Sequence, residues 1–294
     1  MVFVINRLKM SECLFSIANY IFMFIVFVIM VYPFIFVLMY SLSNPSLLTG
    51  NLIILPKGFT LDSYRECFAE TEFLNGLFIS IARTVVGPLG ALVVTSMAAY
   101  VLTKNYLVAV VFLRKFFVFT MYFSGGIIPV YVLLKYLHLT NNFWVYILPS
   151  LLSAFNLILI KAFIENLPAS LEESAIIDGA NDIVVFFRIV FPLCTPIFAA
   201  VTLFAIIGQW NSFIDTQLYN SMNRKLYTLQ YVLYNYLASK RFSLEEAKQS
   251  STSNTTTETL KMAISTITML PILIIYPFVQ KYFASGLLVG AIKG

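Results

Sequence analysis

Long stretches of this sequence carry no charge. No Asp, Glu, Lys or Arg occurs from Cys13 to Pro56, Phe116 to Leu134, Phe143 to Ile160, Ile189 to Ile214 or Met262 to Gln280, and Phe73 to Thr103 holds only Arg83. Each run is long enough to cross a hydrocarbon layer of about 30 Å at about 1.5 Å per residue. A backbone amide in lipid needs a partner within its own segment, so such runs are expected to be helices. Six spans follow, at 14–40, 73–103, 116–134, 143–160, 189–214 and 262–280, in a single transmembrane domain covering 1–294. Composition agrees. Hydrophobic residues make up 60% and charged residues 11%, against about 25% charged in a soluble domain. A chain with so little polar surface is neither a water-soluble enzyme nor disordered.

The first run has too many apolar residues for a secretory signal, whose core is about 7–15 residues, and its end shows no small-residue cleavage site. It reads as a retained span. The net charge of +5 does not point to nucleic acid, because the basic residues sit mainly at the ends of apolar runs, where they anchor helices to head groups. Six spans put both termini on one side. The loops and ends on that side carry nine Lys and Arg, as do the opposite loops; setting aside the longest loop, 215–261, leaves nine against three and puts the termini in the cytoplasm. Cys13, Cys67 and Cys194 have no metal-ligand spacing and lie far apart, so no disulfide framework is expected.

Several spans contain helix breakers: Gly87-Pro88 in the second, Ser124-Gly125-Gly126 in the third, Pro192 and Pro196 in the fifth, Pro271 and Pro277 in the sixth. Two readings stand level: a bundle that changes shape around a path, or the ordinary frequency of Gly and Pro in membrane helices. Between the fourth and fifth spans, the loop 161–188 has its own punctuation. Ser170 and Glu173 have capping-box spacing, which predicts a short helix starting at Leu171. Leu171 and Ala175 would share a face, with Glu172 and Asp178 off it. Gly179 can end that helix in a left-handed conformation, and Asn181 or Asp182 can cap a second helix running through Arg188 towards Pro192. The expected shape is helix, glycine corner, helix. On capping alone an ordinary surface connector is the plainer reading.

The same residues resemble a known family. Glu173-Ser174-Ala175, then Gly179, then Ile189-Val190-Phe191-Pro192 is similar to the E-A-A-x3-G-x9-I-x-L-P loop of ABC-importer permeases. Ser174 and Phe191 depart from the pattern. Asp178-Gly179-Ala180 resembles the sugar-importing branch. Tyr32-Pro33-Phe34, Pro56 to Thr60, Phe119 to Pro129 and Gly208 to Phe213 are similar to the second permease of maltose-type, multiple-sugar importers, in the branch linked to complex oligosaccharides. The resemblance covers nearly the whole chain.

The resemblance implies an all-α polytopic membrane protein of the type I ABC-importer permease fold, multi-pass in a bacterial cell membrane with cytoplasmic termini. It implies a second, non-identical permease, an ABC ATPase dimer that binds ATP and Mg, and an extracellular sugar-binding lipoprotein as partners, besides membrane lipid. No cofactor is expected in this chain. Glu172, Glu173, Ser174, Ala175, Asp178, Gly179 and Ala180 would form the ATPase-coupling segment, with Arg188 and Pro192 leading into the next span. Two roles stay open for Glu173: pairing with a basic group of the ATPase, or capping its own helix. The tail 285–294 resembles the family's terminal segment near the ATPase interface.

Sugar rings bind aromatic faces and polar groups that replace water. Gln209, Trp210 and Asn211 are substrate-pathway candidates, with Tyr122, Tyr131 and Asn156 behind them; helix packing or interfacial anchoring is the plainer reading of each. Arg83 either meets an acidic sugar or snorkels to the outer head groups, and snorkelling is preferred. No phosphate loop, metalloprotease helix or nucleophile elbow occurs, so the chain is not expected to be an enzyme. The alternatives to an ABC permease are an ion-gradient secondary transporter and a polytopic membrane enzyme acting on lipid-linked sugars.

Overall fold

The computed structural model describes residues 10–48, 53–238 and 255–286. The end of the tail, 287–294, lies outside the described residues, as does most of the connector 249–259. Among the described residues the fold is helical, apart from one isolated antiparallel bridge between Ser43 and Phe59. The helices are α1 (Met10–Ser41), α2 (Asp62–Ala69), α3 (Thr71–Thr103), α4 (Val110–Tyr122), α5 (Ile127–Tyr136), α6 (Ala154–Glu165), α7 (Ala169–Ile177), α8 (Asp182–Val185), α9 (Phe191–Leu193), α10 (Thr195–Asn211), α11 (Ile214–Tyr219), α12 (Leu229–Ala238) and α13 (Thr257–Gly286).

The chain divides into two units, Met1–Cys67 with Lys240–Ile267, and Phe68–Ser239 with Thr268–Gly294. In the first, α1 is apolar all round: Phe15, Tyr20, Phe24, Phe27 and Met30 are all exposed, the pattern of a helix that lipid or other apolar surface must cover. Pro33 lies within α1 without ending it. After α1, Asn44 caps a 3-10 turn by accepting from Ser46 N at 3.0 Å. The Pro56-to-Thr60 stretch folds back so that Asn44 N donates to Lys57 O at 2.9 Å. Tyr40 donates to Glu258 at 2.8 Å.

The second unit is built around α3. Lipid tails are as apolar as Leu, so helices in a bilayer associate through close packing and hydrogen bonds rather than through expulsion of water. The buried face of α3 fits that requirement: Phe73, Gly76, Ser80, Arg83 and Gly87 recur at helical spacing, and three of these five are small. Contact with α10 is the most extensive, followed by α6 and α12. Ser80 Oγ accepts from Leu229 N at 2.8 Å, which satisfies an otherwise orphaned amide in the first turn of α12. Towards the other end, Tyr100 and Leu102 of α3 join Leu157, Ile160, Val185, Phe186 and Phe198 in one apolar cluster.

Only some of the six expected spans are single helices. The runs 14–40, 73–103 and 262–280 lie in α1, α3 and α13; α3 continues through Gly87-Pro88, and α13 through Pro271 and Pro277. The other three runs are bent pairs. The third breaks between Tyr122 and Ile127 by 117°, the fourth between Ser150 and Ala154 by 43°, and the fifth between Leu193 and Thr195 by 81°. Breakers explain the third and the fifth. Gly126 takes φ 84°, a region open chiefly to glycine, and Pro192 and Pro196 flank Cys194.

Side chains satisfy the carbonyls released at these breaks. Thr95 donates to Leu151 O at 3.0 Å and Thr195 to Pro192 O at 2.7 Å; in the continuous α13, Thr268 O accepts from Trp210 Nε1 at 2.9 Å, beside Pro271. The loop expectations shift accordingly. α4 begins at Val110, so Arg114 and Lys115 are helical; α6 runs past Ile160 to Glu165; and the described part of the 215–261 loop carries α11 and α12, the latter packed on α3.

Replacing Ser80 with alanine leaves Leu229 N buried without a partner. The expected loss is about 1–3 kcal/mol, read as a lower unfolding midpoint of the purified chain in detergent.

Candidate functional site

Two places in the second unit bring polar groups together. The first is the elbow between α6 and α10. The expected capping box does not form: Pro168 is the N-cap of α7 and offers no side-chain bond. Its extended ψ of 122° starts the helix two residues early, so Ser170 lies inside it and its carbonyl accepts from Ser174 Oγ at 2.7 Å. Glu173 is exposed and makes no hydrogen bond or ion pair with any described residue. The glycine corner does form. Gly179 has φ 83°; its amide donates to Ile176 O at 3.0 Å and Ala180 N donates to Ala175 O at 2.9 Å. This pair of bonds is a Schellman motif, and the apolar contact that accompanies it is present as Ala175 and Ala180 against the core. Asn181 caps α8 by accepting from Val184 N at 2.9 Å. A π-helical turn, Phe186–Val190, follows, with Arg188 exposed in it, and Pro192 lies in α9.

The elbow's inner side differs from the expected one. Glu172 points into the protein, and Leu171 is exposed. Tyr100 OH donates to Glu172 Oε1 at 2.9 Å, and Tyr106 OH donates to Asp182 Oδ2 at 2.7 Å. Lys104 Nζ pairs with Glu172 and lies 3.8 Å from Asp182 Oδ1. It also stands 4.1 Å from the centre of the Tyr100 ring. Burial pushes the Lys104 ammonium below its usual pKa, and Asp182 works against that. The bond to Asp182 raises the Tyr106 hydroxyl. On the outer side Asp178 is exposed, as are Ile176 and Ile177, the latter 85% exposed. Ile183 is exposed on the other arm.

The second place is a cavity of about 470 Å³ lined by α3, α10, α11 and the broken fourth run. Arg83 is only 2% exposed, so it does not snorkel. Its Nε donates to Gln209 Oε1 at 2.7 Å, its Nη1 to Asp215 Oδ1 at 3.2 Å and its Nη2 to Asp215 Oδ2. The guanidinium sits 4.4 Å from the centre of the Tyr146 ring. Gln209 Nε2 donates to Tyr146 O at 3.0 Å and to Ser150 Oγ at 2.8 Å. Gly87 makes room for this: a Cβ there would lie 3.0 Å from Gln209 Nε2.

Of the pathway candidates, Gln209 and Asn156 line this cavity together. Tyr131 stacks on Tyr219, a lining residue, at 6.0 Å between ring centres. Trp210 lines a separate apolar pocket with Pro271 and Tyr276. Asn211 lies at the exposed end of α10, where it accepts from Gln230 at 3.4 Å. Tyr122 is 84% exposed at the end of α4. Sequence reasoning missed Asp215, Tyr146, Tyr100 and Lys104. A signal existed for the first: an arginine within a span demands an inward partner, and Asp215 is the first carboxylate after the fifth run.

Asp215→Asn strips a buried guanidinium of its counter-charge. The expected loss is about 3 kcal/mol, measured as a lower unfolding midpoint, whereas Glu173→Ala should change it by less than about 0.5 kcal/mol.

No protein-family model matches the chain. Curated relatives and a solved structure do. The chain is 37% identical to the polygalacturonan/rhamnogalacturonan transport system permease protein YtcP of Bacillus subtilis, over 97% of this chain and 100% of the relative. It is 38% identical to Protein LplC of the same organism, over 95% of each chain. It is similar, at TM-score 0.88 and 28% identity over 95% of this chain and 99% of the other, to a bacterial ABC transporter involved in the import of the acidic polysaccharide alginate. With that identity over full length, and with the fold of an ABC importer around it, the chain belongs to the family of sugar ABC-transporter permeases and is a permease subunit of an ABC importer, not an ion-gradient transporter or a membrane enzyme.

Proposed function

We propose that the elbow around Glu173 to Gly179 couples this permease to a separate ABC ATPase dimer, and that the polar cavity lies on the path of an oligosaccharide. The observation that supports this most is the asymmetry of α7. Its inner side is bound through Glu172 and Ala175, while Ile176, Ile177 and Asp178 protrude. Apolar residues held out on a rigid corner suit a groove in a partner. Glu173, with no capping duty, is available to a basic group there.

In this reading a second, non-identical permease completes the pathway, and an extracellular sugar-binding lipoprotein delivers the cargo. The chain spans a bacterial cell membrane with both termini in the cytoplasm. ATP and Mg bind in the ATPase dimer, which carries out hydrolysis. Closure of that dimer on ATP displaces the elbow and biases the permeases between inward-open and outward-open arrangements.

Oligosaccharides are the proposed cargo, and acidic ones are the first to test, given what the relatives' names say of those proteins. Arg83 is already neutralised by Asp215, so the cavity offers hydroxyl, amide and ring groups rather than net positive charge. Asn156 and the Tyr131–Tyr219 stack are the groups best suited to meet sugar.

Proteoliposomes holding this chain with its partner permease, ATPase and binding protein are expected to take up oligogalacturonate only when ATP is supplied to the ATPase side. Uptake driven by an ion gradient without ATP would sink the reading. Beyond its own chain neighbours, nothing lies within 4 Å of a Cβ built at Gly179, so a substitution there strains chiefly the backbone, by about 1–2 kcal/mol. Gly179→Val should lower uptake at least about ten-fold with the chain still in the membrane fraction. Gly179→Asn, which tolerates the left-handed region, should retain most of it.

A further inference from the structure

We infer that Lys104 is a positioning residue that ties both arms of the elbow to α3 and passes the elbow's displacement to that helix. The inference rests on the coupling role proposed for the elbow. Its evidence is a juxtaposition: one ammonium group lies between two carboxylates on opposite sides of the Gly179 corner, Glu172 on α7 and Asp182 at the start of α8. Two tyrosine hydroxyls repeat the arrangement, Tyr100 on Glu172 and Tyr106 on Asp182. All three donors belong to the end of α3 and the turn after it. Lys104 is the C-cap residue of α3, where a cation also complements the helix dipole.

Apolar contact alone would hold the corner weakly. At the corner itself only Ala175 and Ala180 pack on the core, each with a methyl group, whereas Leu167 before α7 and Val185 of α8 hold the far ends of the arms in the same cluster. The charged clamp therefore supplies the directional part of the attachment. Its ammonium end is shielded from water, since the Lys104 side chain is 10% exposed and packs on the Tyr100 ring, whereas the Glu172 side chain is 31% and the Asp182 side chain 53% exposed. Of the two ties, the less exposed one to Glu172 is therefore the firmer. Removing the lysine leaves two carboxylates facing each other, so the arms lose their tie and also repel.

The receiving helix leads to the cavity. Lys104 stands 21 residues beyond Arg83, or about 31 Å along a helix rising about 1.5 Å per residue. α3 is continuous over that distance and carries both Arg83 and Gly87 on the cavity wall. A displacement applied at Lys104 thus reaches the cavity without crossing a break. α6 and α10, by contrast, each adjoin a bend.

The test uses the assembled transporter and a readout that needs no cargo. Cys13, Cys67 and Cys194 are replaced by alanine, Asn156→Cys is placed in the cavity, and its labelling by a membrane-impermeant maleimide is timed with and without ATP. In that background ATP should change the labelling rate at least about five-fold. Adding Lys104→Met should abolish the change while ATPase activity and co-purification of the ATPase persist, and Lys104→Arg should preserve it. The triple change Lys104→Met, Glu172→Gln, Asp182→Asn should not restore it, because the tie is absent even with the repulsion removed. An unaltered ATP response in the Lys104→Met chain overturns the inference. So does recovery in the triple variant, which would reduce Lys104 to charge relief, and so does loss of the co-purifying ATPase, which would make it a folding residue. Absence of any ATP response with Lys104 intact overturns the coupling reading instead.

Discussion

Backbone that leaves the helical ladder inside a bilayer has to find new partners, and the second unit is organised by that demand. Three of the six apolar runs are bent, and each bend releases carbonyls into a medium where an unsatisfied polar group costs several kcal/mol. The partners come from neighbouring helices. Thr95 of α3 serves the fourth run, and Gln209 of α10 reaches Tyr146 O within it. The bonds that make that bend tolerable are thus also bonds that fix α3 and α10 against the fourth run. The tightest node is Arg83. A guanidinium buried in a span is costly unless neutralised and fully bonded, and Asp215 with Gln209 does both.

This explains why small residues recur on α3. Gly76 and Gly87 do not act through unusual backbone angles. They allow approach: a Cβ at position 76 would lie 3.2 Å from Val232 Cγ2, and one at 87 would meet Gln209. Helices brought this close gain dispersion contacts along their length, and the polar groups between them fall within hydrogen-bond range. Ser80 Oγ could not reach Leu229 N if α12 were held off by a larger residue at position 76.

How much was legible in the sequence depended on whether a feature was local. The number and rough position of the apolar runs follow from charge spacing alone. The left-handed Gly179 and the Asn181 cap are local too, and both were readable. The capping box fails for a local reason: Pro168, with its fixed φ, starts α7 before Ser170 can cap it. Non-local features were not readable. Helical spacing puts Glu172 off the packed face because it says nothing about Lys104, 68 residues away. Asp215 lay hidden for a similar reason, since only folding brings the end of the fifth run against α3. Bends were hinted at by Gly and Pro, but Gly87-Pro88 did not break α3 whereas Pro192 and Pro196 broke the fifth run. α3 runs as one helix through Pro88 while it packs one face on α10, α6 and α12.

The two polar places also constrain each other through α3. At one end its last turn is bound to both arms of a corner whose outer face is unoccupied among the described residues; further along, Arg83 clasps the segment that follows α10. A helix bound at both places cannot slide or turn at one without disturbing the other, because it runs as one helix between them and lacks only the ladder bond that Pro88 cannot donate. The bends lie instead in the neighbouring runs, where glycine and proline lower the resistance to a change of angle. Stiffness in α3 and pliancy around it are the mechanical division of labour that a permease needs if a push at its inner face is to reshape a cavity about 31 Å away.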